Sequence, residues 1–175
     1  MSTISSFKAQ MRAGGARPNQ FRVIMTFPAN LVQNSGLAGQ RAEFMIKAAS
    51  VPSFTVEDIP LMYRGRPVHM AGERSFEPWT VQVYNDADFG LRNAFEQWVD
   101  GISSPNSSNG TLLPAAYQVD MEVHQLDRND AVLKKYRFYD AYPMQVGAMA
   151  LDWDANNQIQ TFDVTFQYNW NESIS

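Results

Sequence analysis

The chain holds two histidines, His69 and His124, and no cysteine in 175 residues. The lack of cysteine removes disulfides, thiolate metal ligands and cysteine nucleophiles together. Each histidine falls in a stretch that reads as strand, where a lone imidazole is structural more often than catalytic. No Gly-x-Ser-x-Gly elbow presents a serine, although a Ser-His-Asp set meeting in space stays open at the level of sequence. Gly14-Gly15 and Gly36 to Gly39 match neither dinucleotide nor P-loop spacing. Asp152-Trp153-Asp154-Ala155-Asn156-Asn157 has the opening spacing of a calcium loop, with Asp163 twelfth from Asp152. Asn157 stands where that loop needs glycine, and a strand rather than a helix follows. Asp and Asn also make tight turns by bonding their own backbone, and the turn is the favoured reading here. Arg64-Gly65-Arg66 could clamp a phosphate, but reads first as a solvated turn or an interface contact. Asp86 and Asp88 suit the start of a helix, where negative charge is favoured. No nucleophile–base set, metal site or cofactor cradle emerges, so the expectation is a protein without catalysis or cofactor.

The elements that carry these residues are mostly strands. An arm covers residues 1–19, in which Ile4, Phe7 and Met11 share one face of a short helix ended by Gly14-Gly15. Such a helix needs a partner surface, and a frayed terminus is the alternative. A β domain over 20–175 follows. Phe21 to Phe27 alternates, and 28–41 reads as an exposed loop because Pro, Asn, Ser and two glycines interrupt it. Strands are expected at Glu43 to Ala48, Phe54 to Ile59, Pro67 to Met70 and Trp79 to Tyr84. Tyr117 to Leu126 and Val132 to Tyr139 should pair as a hairpin around Asp127 to Asp130. The clearest strand is the last: Phe162, Val164, Phe166, Tyr168 and Trp170 alternate with Thr161, Asp163, Thr165, Gln167 and Asn169. One helix interrupts the strands, with Leu91, Ala94, Phe95, Trp98 and Ile102 at helical spacing behind an Asn85-Asp86 cap. A polar loop at 103–116 comes after it. The fold class is therefore mainly β, an antiparallel sandwich or barrel with one flanking α-helix.

Composition narrows the class of function. Hydrophobic residues at 45% and aromatics at 13% can build a core, whereas charged residues at 18% fall below the usual quarter. A surface poor in charge and rich in neutral polar groups and aromatics suits contact with other protein. The net charge of −4 argues against a dedicated nucleic-acid binder. Met1 to Lys8 lacks the basic and apolar regions of a secretory leader, and no run nears the roughly 18 apolar residues of a spanning helix. Synthesis in a cytoplasm and no membrane binding are expected. The charges are split: Lys8, Arg12, Arg17, Arg22 and Arg41 precede any acid, while Asp140, Asp152, Asp154, Asp163 and Glu172 have no base after Phe138. Chance could produce this, but opposite fields at two ends also suit head-to-tail association of identical copies.

Longer blocks identify a family. Ala16-Arg17-Pro18-Asn19 with Phe21, Lys47-Ala48 with Pro52, and Ile59-Pro60 are joined by two long matches. These are Ala71-Gly72-Glu73-Arg74-Ser75-Phe76-Glu77-Pro78-Trp79-Thr80-Val81 running to Asn85-Asp86, and Leu151 to Thr165. In this order they resemble the tail tube proteins of T4-like contractile-tailed bacteriophages; the longer 28–41 loop and the 103–116 linker depart from the pattern. The resemblance implies a structural virion protein. Its copies would form six-fold rings, stacked into the inner tube of the tail, with strands joining across subunits into a closed barrel. Genomic DNA would pass through the lumen without specific binding. The implied partners are the tail sheath, baseplate hub, tape measure and tail terminator proteins. The same fold serves the tubes of type VI secretion and other contractile injection systems, which is the alternative. A monomeric β-sandwich binding module is the competing class, and self-assembly separates it from a tube.

On this reading the final strand turns a polar face to the lumen, making Asp163, Thr165 and Gln167 lumen candidates. The charge-split ends make Lys8, Arg12, Arg17, Arg22, Asp152 and Asp154 stacking candidates. Trp79, Phe76 and Trp153 belong to the core or to subunit contacts.

Overall fold

The computed structural model describes residues 4–10, 15–105 and 113–174. Met11, Arg12 and Gly14 of the arm, and positions 106–112 of the linker, lie outside the described residues. The arm helix α1 (Ile4–Gln10) has no buried residue. Strand β1 (Phe21–Met25) leads into α2 (Ser35–Met45) and β2 (Ile46–Ala49). Strands β3 (Phe54–Tyr63), β4 (Arg66–Phe76) and β5 (Trp79–Tyr84) precede α3 (Gly90–Ile102) and the single turn α4 (Pro114–Tyr117). The chain closes with β6 (Val119–Leu126), β7 (Val132–Val146), β8 (Thr161–Gln167) and β9 (Trp170–Ile174).

Every strand pairing is antiparallel. The organising element is β7, long enough at 15 residues to serve two sheets. Its first part lies between β6 and β9, and β1 extends that sheet beyond β6. At Asp140 the backbone takes φ 56°. Beyond it, Tyr142 to Val146 pairs with β8, and β5 and then β2 follow. The result is a sandwich of two sheets sharing one bent strand, with α2 and α3 against its core. The described residues of one chain do not close a barrel.

Alternation explains the core. On β5 and β8 the residues Trp79, Val81, Val83, Phe162, Val164 and Phe166 are all buried. They face Val23 and Met25 of β1 and the apolar stripe of α3. The α3 periodicity is as expected, with Leu91, Ala94, Phe95 and Trp98 buried. The helix starts later than the Asn85-Asp86 cap suggests. Phe89 takes the capping position in a left-handed conformation, and the Gly90 N–H donates to Asp88 Oδ1 at 3.0 Å. Phe166 joins the layers: its ring lies 6.0 Å from Phe95, 6.4 Å from Trp98 and 5.7 Å from Trp79. Trp79 in turn stacks on Phe138 at 4.5 Å. Buried indoles need partners for their N–H groups; Trp79 donates to the Ser50 carbonyl and Trp98 to the Tyr117 carbonyl, each at 2.9 Å.

Two expectations are corrected. Most of the expected 28–41 loop is helix, because α2 begins at Ser35 and runs to Met45, so the expected strand from Glu43 starts only at Ile46. Gly36 and Gly39 read as breakers by propensity. Gly39 has a packing reason instead, since a Cβ there would lie 2.9 Å from the Met25 carbonyl oxygen; the helix sits directly on β1, burying Ala38 and Ala42. The domain thus carries two flanking helices rather than one. Arg41 of α2 bonds Asp88 ahead of α3 at 2.5 Å. That bond, with the Gly90 N–H, holds the Asp88 carboxyl below the usual range. The last strand also ends earlier than expected. Tyr168 is buried, but the chain turns at Asn169, and Trp170 opens β9, half-exposed and stacked on Tyr139 at 3.8 Å.

Truncating the ring that joins sheet to helix should be costly. Phe166→Ala is expected to destabilise the subunit by about 3–5 kcal/mol, measured by denaturant unfolding under conditions that keep the protein monomeric.

Candidate functional site

Among the described residues, each histidine meets one carboxylate and no catalytic constellation gathers around either. His69 lies exposed on β4, with Nδ1 2.5 Å from Asp58 Oδ2. His124 is buried in β6, with Nε2 2.8 Å from Glu122 Oε2. No group of three or more metal-ligating side chains occurs among the described residues. Asp152 to Asn157 folds as successive tight turns: Asp152 Oδ1 accepts the Asp154 N–H at 3.0 Å and the Asp154 carbonyl accepts the Asn156 N–H at 2.8 Å. The surfaces that stand out are a polar sheet face, two open sheet edges and an unsupported ribbon.

The polar face is the reverse of the core face of the second sheet. Register pairs Thr80 with Thr165 and Gln82 with Asp163 across β5 and β8, and Tyr142 with Gln167 across β7 and β8. Asp163, Thr165 and Gln167 therefore lie in one row, with Thr80 and Gln82 beside them. The Thr80 and Thr165 hydroxyls share a hydrogen bond of 3.0 Å, and Lys47 reaches to 5.8 Å over the Tyr84 ring. Threonines, glutamines, one acid and one flanking base give a polar surface that has no cluster of cations among the described residues.

The same sheet ends in two strands with nothing beyond them. β2 pairs only with β5, and the 142–146 part of β7 only with β8, among the described residues. Open edges with unused backbone donors and acceptors invite pairing with another chain.

The ribbon is the feature that the sequence conceals. β3 and β4 pair with each other alone, from Phe54 opposite Phe76 to Tyr63 opposite Arg66. Sequence reading ends the first of these strands at Ile59 and gives the second only Pro67 to Met70, whereas the ribbon runs from Phe54 to Tyr63 and from Arg66 to Phe76. Pro60 and Pro67 both fit, since each strand of a two-stranded ribbon has a free edge. Arg64-Gly65 forms the turn, with φ 48° and 78°, the positive pair that a two-residue hairpin requires. Ile59, Leu61, Tyr63, Val68 and Met70 share one face and are all exposed. An isolated hairpin is marginal in water, so such a face calls for a partner. The alternation of Ile59, Leu61 and Tyr63 about the Arg-Gly turn is the signal that could have revealed it.

The charged candidates are dispersed. Lys8 sits on α1, and Arg17 precedes β1 with its carbonyl accepting from Gln125 Nε2 at 2.7 Å. Arg22 is already paired with Glu43 at 3.0 Å. Asp152 and Asp154 lie in the loop after β7, flanking Trp153, which is fully exposed. Phe76 and Trp79 resolve toward the core, Trp79 wholly and Phe76 partly buried. No helix among the described residues is long and apolar enough to cross a membrane.

Comparison with known proteins follows the same lines. A family model described as phage tail tube protein matches residues 16–172. The tail tube protein gp19 of Enterobacteria phage T4 is 34% identical over 156 residues, covering 89% of this chain and 90% of that protein. The tail tube protein of Serratia phage KSP90 is 27% identical over 172 residues, covering 96% and 95%. Among solved structures, a chain of the anti-feeding prophage tube terminating cap superposes with a TM-score of 0.68 at 14% identity, covering 92% of this chain and 91% of that one. At that identity the likeness is one of fold.

The two faces of β8 should respond oppositely to neighbouring substitutions. Asp163→Asn is expected to change subunit stability by less than about 0.5 kcal/mol. Val164→Asn, which buries an unpaired amide, should cost more than about 2 kcal/mol. Equilibrium unfolding of both variants checks this.

Proposed function

The chain belongs to the phage tail tube protein family, a structural part of the virion tail, and from that premise we propose how its copies build the tube. Six copies close into a ring, with the second sheet of each joining its neighbours at the open edges of β2 and β7. The polar face carrying Asp163, Thr165 and Gln167 lines the lumen, and the rings stack head to tail.

The observation that carries this reading is the two-faced sheet with an open edge on either side. One face is sealed by the core and the helices, so only the polar face can turn inward without stripping the domain. The sheet holds four strands in strict antiparallel order. An even count makes β2 and β7 run in opposite directions, so every junction between copies is antiparallel, as the pairs within the sheet are. An odd count would force a parallel junction. Closure also removes the edges that would otherwise recruit stray strands.

The lumen chemistry supports a conduit. DNA binds where clustered cations release its counterions, and this face offers threonine, glutamine and Asp163 instead. The genome would slide past without specific contact. The role is one without catalysis or cofactor. Lys8, Arg17 and Arg22 on the basic side, and Asp152 and Asp154 on the acidic side, are proposed for ring-on-ring contact, a heterologous interface that propagates into a filament. Arg22 contributes least, because Glu43 already neutralises it. The sheath is proposed to surround the tube, with the baseplate hub, tape measure and tail terminator proteins completing it.

Negative-stain electron microscopy across a concentration series tests the reading. Hollow tubes or rings of uniform width are expected, with Arg17→Glu folding normally but giving shorter tubes. Small particles alone at every concentration, even on a purified tail baseplate, would overturn it.

A further inference from the structure

The turn loop between β7 and β8 holds three large apolar side chains that touch little of their own subunit: Leu151 is 89% exposed, Trp153 101% and Ile159 70%. Its backbone is not loose. Asp152 Oδ1 and the Asp152 carbonyl accept the N–H groups of Asp154 and Ala155 at 3.0 and 3.3 Å, which fixes Trp153 at the apex with a carboxylate on each side. The loop from Gly147 to Gln160 contains no base. Neither aspartate has a salt-bridge partner among the described residues.

The β3–β4 ribbon has the complementary composition. Between Asp58 and Glu73 its only fixed charges are Arg64 and Arg66 at the tip, and neither is salt-bridged among the described residues. Beside them lies the uncovered apolar face of Leu61 and Tyr63.

Register places the two features at opposite ends of the second sheet. The ribbon runs into Trp79, which pairs with Phe166, while the loop runs into Thr161, which pairs with Tyr84. No single subunit brings them together, whereas two subunits in head-to-tail order turn one toward the other. The ten residues of β3 span about 33 Å in extended form, so the tip reaches well beyond its own sheet.

We propose that Trp153, between Asp152 and Asp154, is the docking point for the Arg64–Arg66 hairpin tip of a second copy in the next ring. The indole packs on the apolar face of the ribbon and against an arginine plane, and the two carboxylates pair with the guanidinium groups. Tryptophan and arginine are the residue types that dominate interface energetics, and guanidinium over an indole adds cation–π attraction. The proposal rests on the stacked-ring reading above, and it gives Asp152 and Asp154 a partner in the next ring, beside the contacts of the basic side.

Charge exchange tests it. Arg64→Glu with Arg66→Glu should raise the concentration needed for tube formation at least about tenfold. Asp152→Lys with Asp154→Lys should do the same, and Trp153→Ala should match either. Subunit folding, followed by circular dichroism, should be unchanged. All four charge reversals together should recover assembly to within about threefold of the unmutated protein, since the paired charges are restored. The natural absence of cysteine allows a direct check: Val68→Cys, on the same ribbon face as Leu61, with Ala155→Cys should give a ladder of oxidised, covalently linked subunits in tubes and none in dilute monomer. Tubes that tolerate both double reversals, fail to respond to the combined exchange, or give no cross-link would overturn the contact while leaving the tube reading intact. No ring or tube from the unmutated protein would overturn both.

Discussion

Everything in this subunit depends on the second sheet keeping two unlike faces. Trp79, Val81, Val83, Phe162, Val164 and Phe166 seal one side against α3 and β1, and Thr80, Gln82, Asp163, Thr165 and Gln167 hold the other. Because side chains alternate with a period of two, a slip of one residue would exchange the faces. That slip would drown a ring of aromatics and bury a row of threonine, glutamine and aspartate without partners. The register of β8 against β5 is therefore fixed by the core, and a polar face opposite it comes with it at no further cost.

The bent strand β7 converts this local constraint into an architecture. Its first part completes a sheet with β1, β6 and β9, its second part opens the sheet that bears the polar face, and Asp140 takes the bend. The helices lie on the sealed side, so both lateral edges of the second sheet stay open. A subunit with one sealed face, one polar face and two open edges is incomplete alone. The exposed ribbon of β3 and β4, paired only with itself among the described residues, adds a third unmet need. In the proposed tube, lateral closure and axial stacking therefore draw on separate surfaces.

Much of this was legible in the sequence. The alternation from Thr161 to Tyr168 gave the two faces of β8, the spacing of Leu91, Ala94, Phe95 and Trp98 gave the buried stripe of α3, and Asp127 to Asp130 gave the β6–β7 turn. The blocks at Ala71 to Asn85 and Leu151 to Thr165 indicated the family. What escaped was governed by contacts that leave no local pattern. Gly39 looks like a helix breaker until the Met25 carbonyl is seen against it. The strand after Phe54 looks as if it ends at Ile59 until the ribbon is seen to accept Pro60 on a free edge. Arg22 looks like a free surface cation until Glu43 is found beside it. The bend of β7 at Asp140 has no proline or glycine to announce it.

The most direct test of the account is a cryo-electron microscopy reconstruction of assembled tubes at side-chain resolution. It should show the β2 edge of each subunit paired antiparallel with the 142–146 edge of its neighbour, and the side chains of Asp163, Thr165 and Gln167 projecting into the lumen. A tube in which that row faces outward, or in which neighbouring sheets do not pair at those edges, would contradict it.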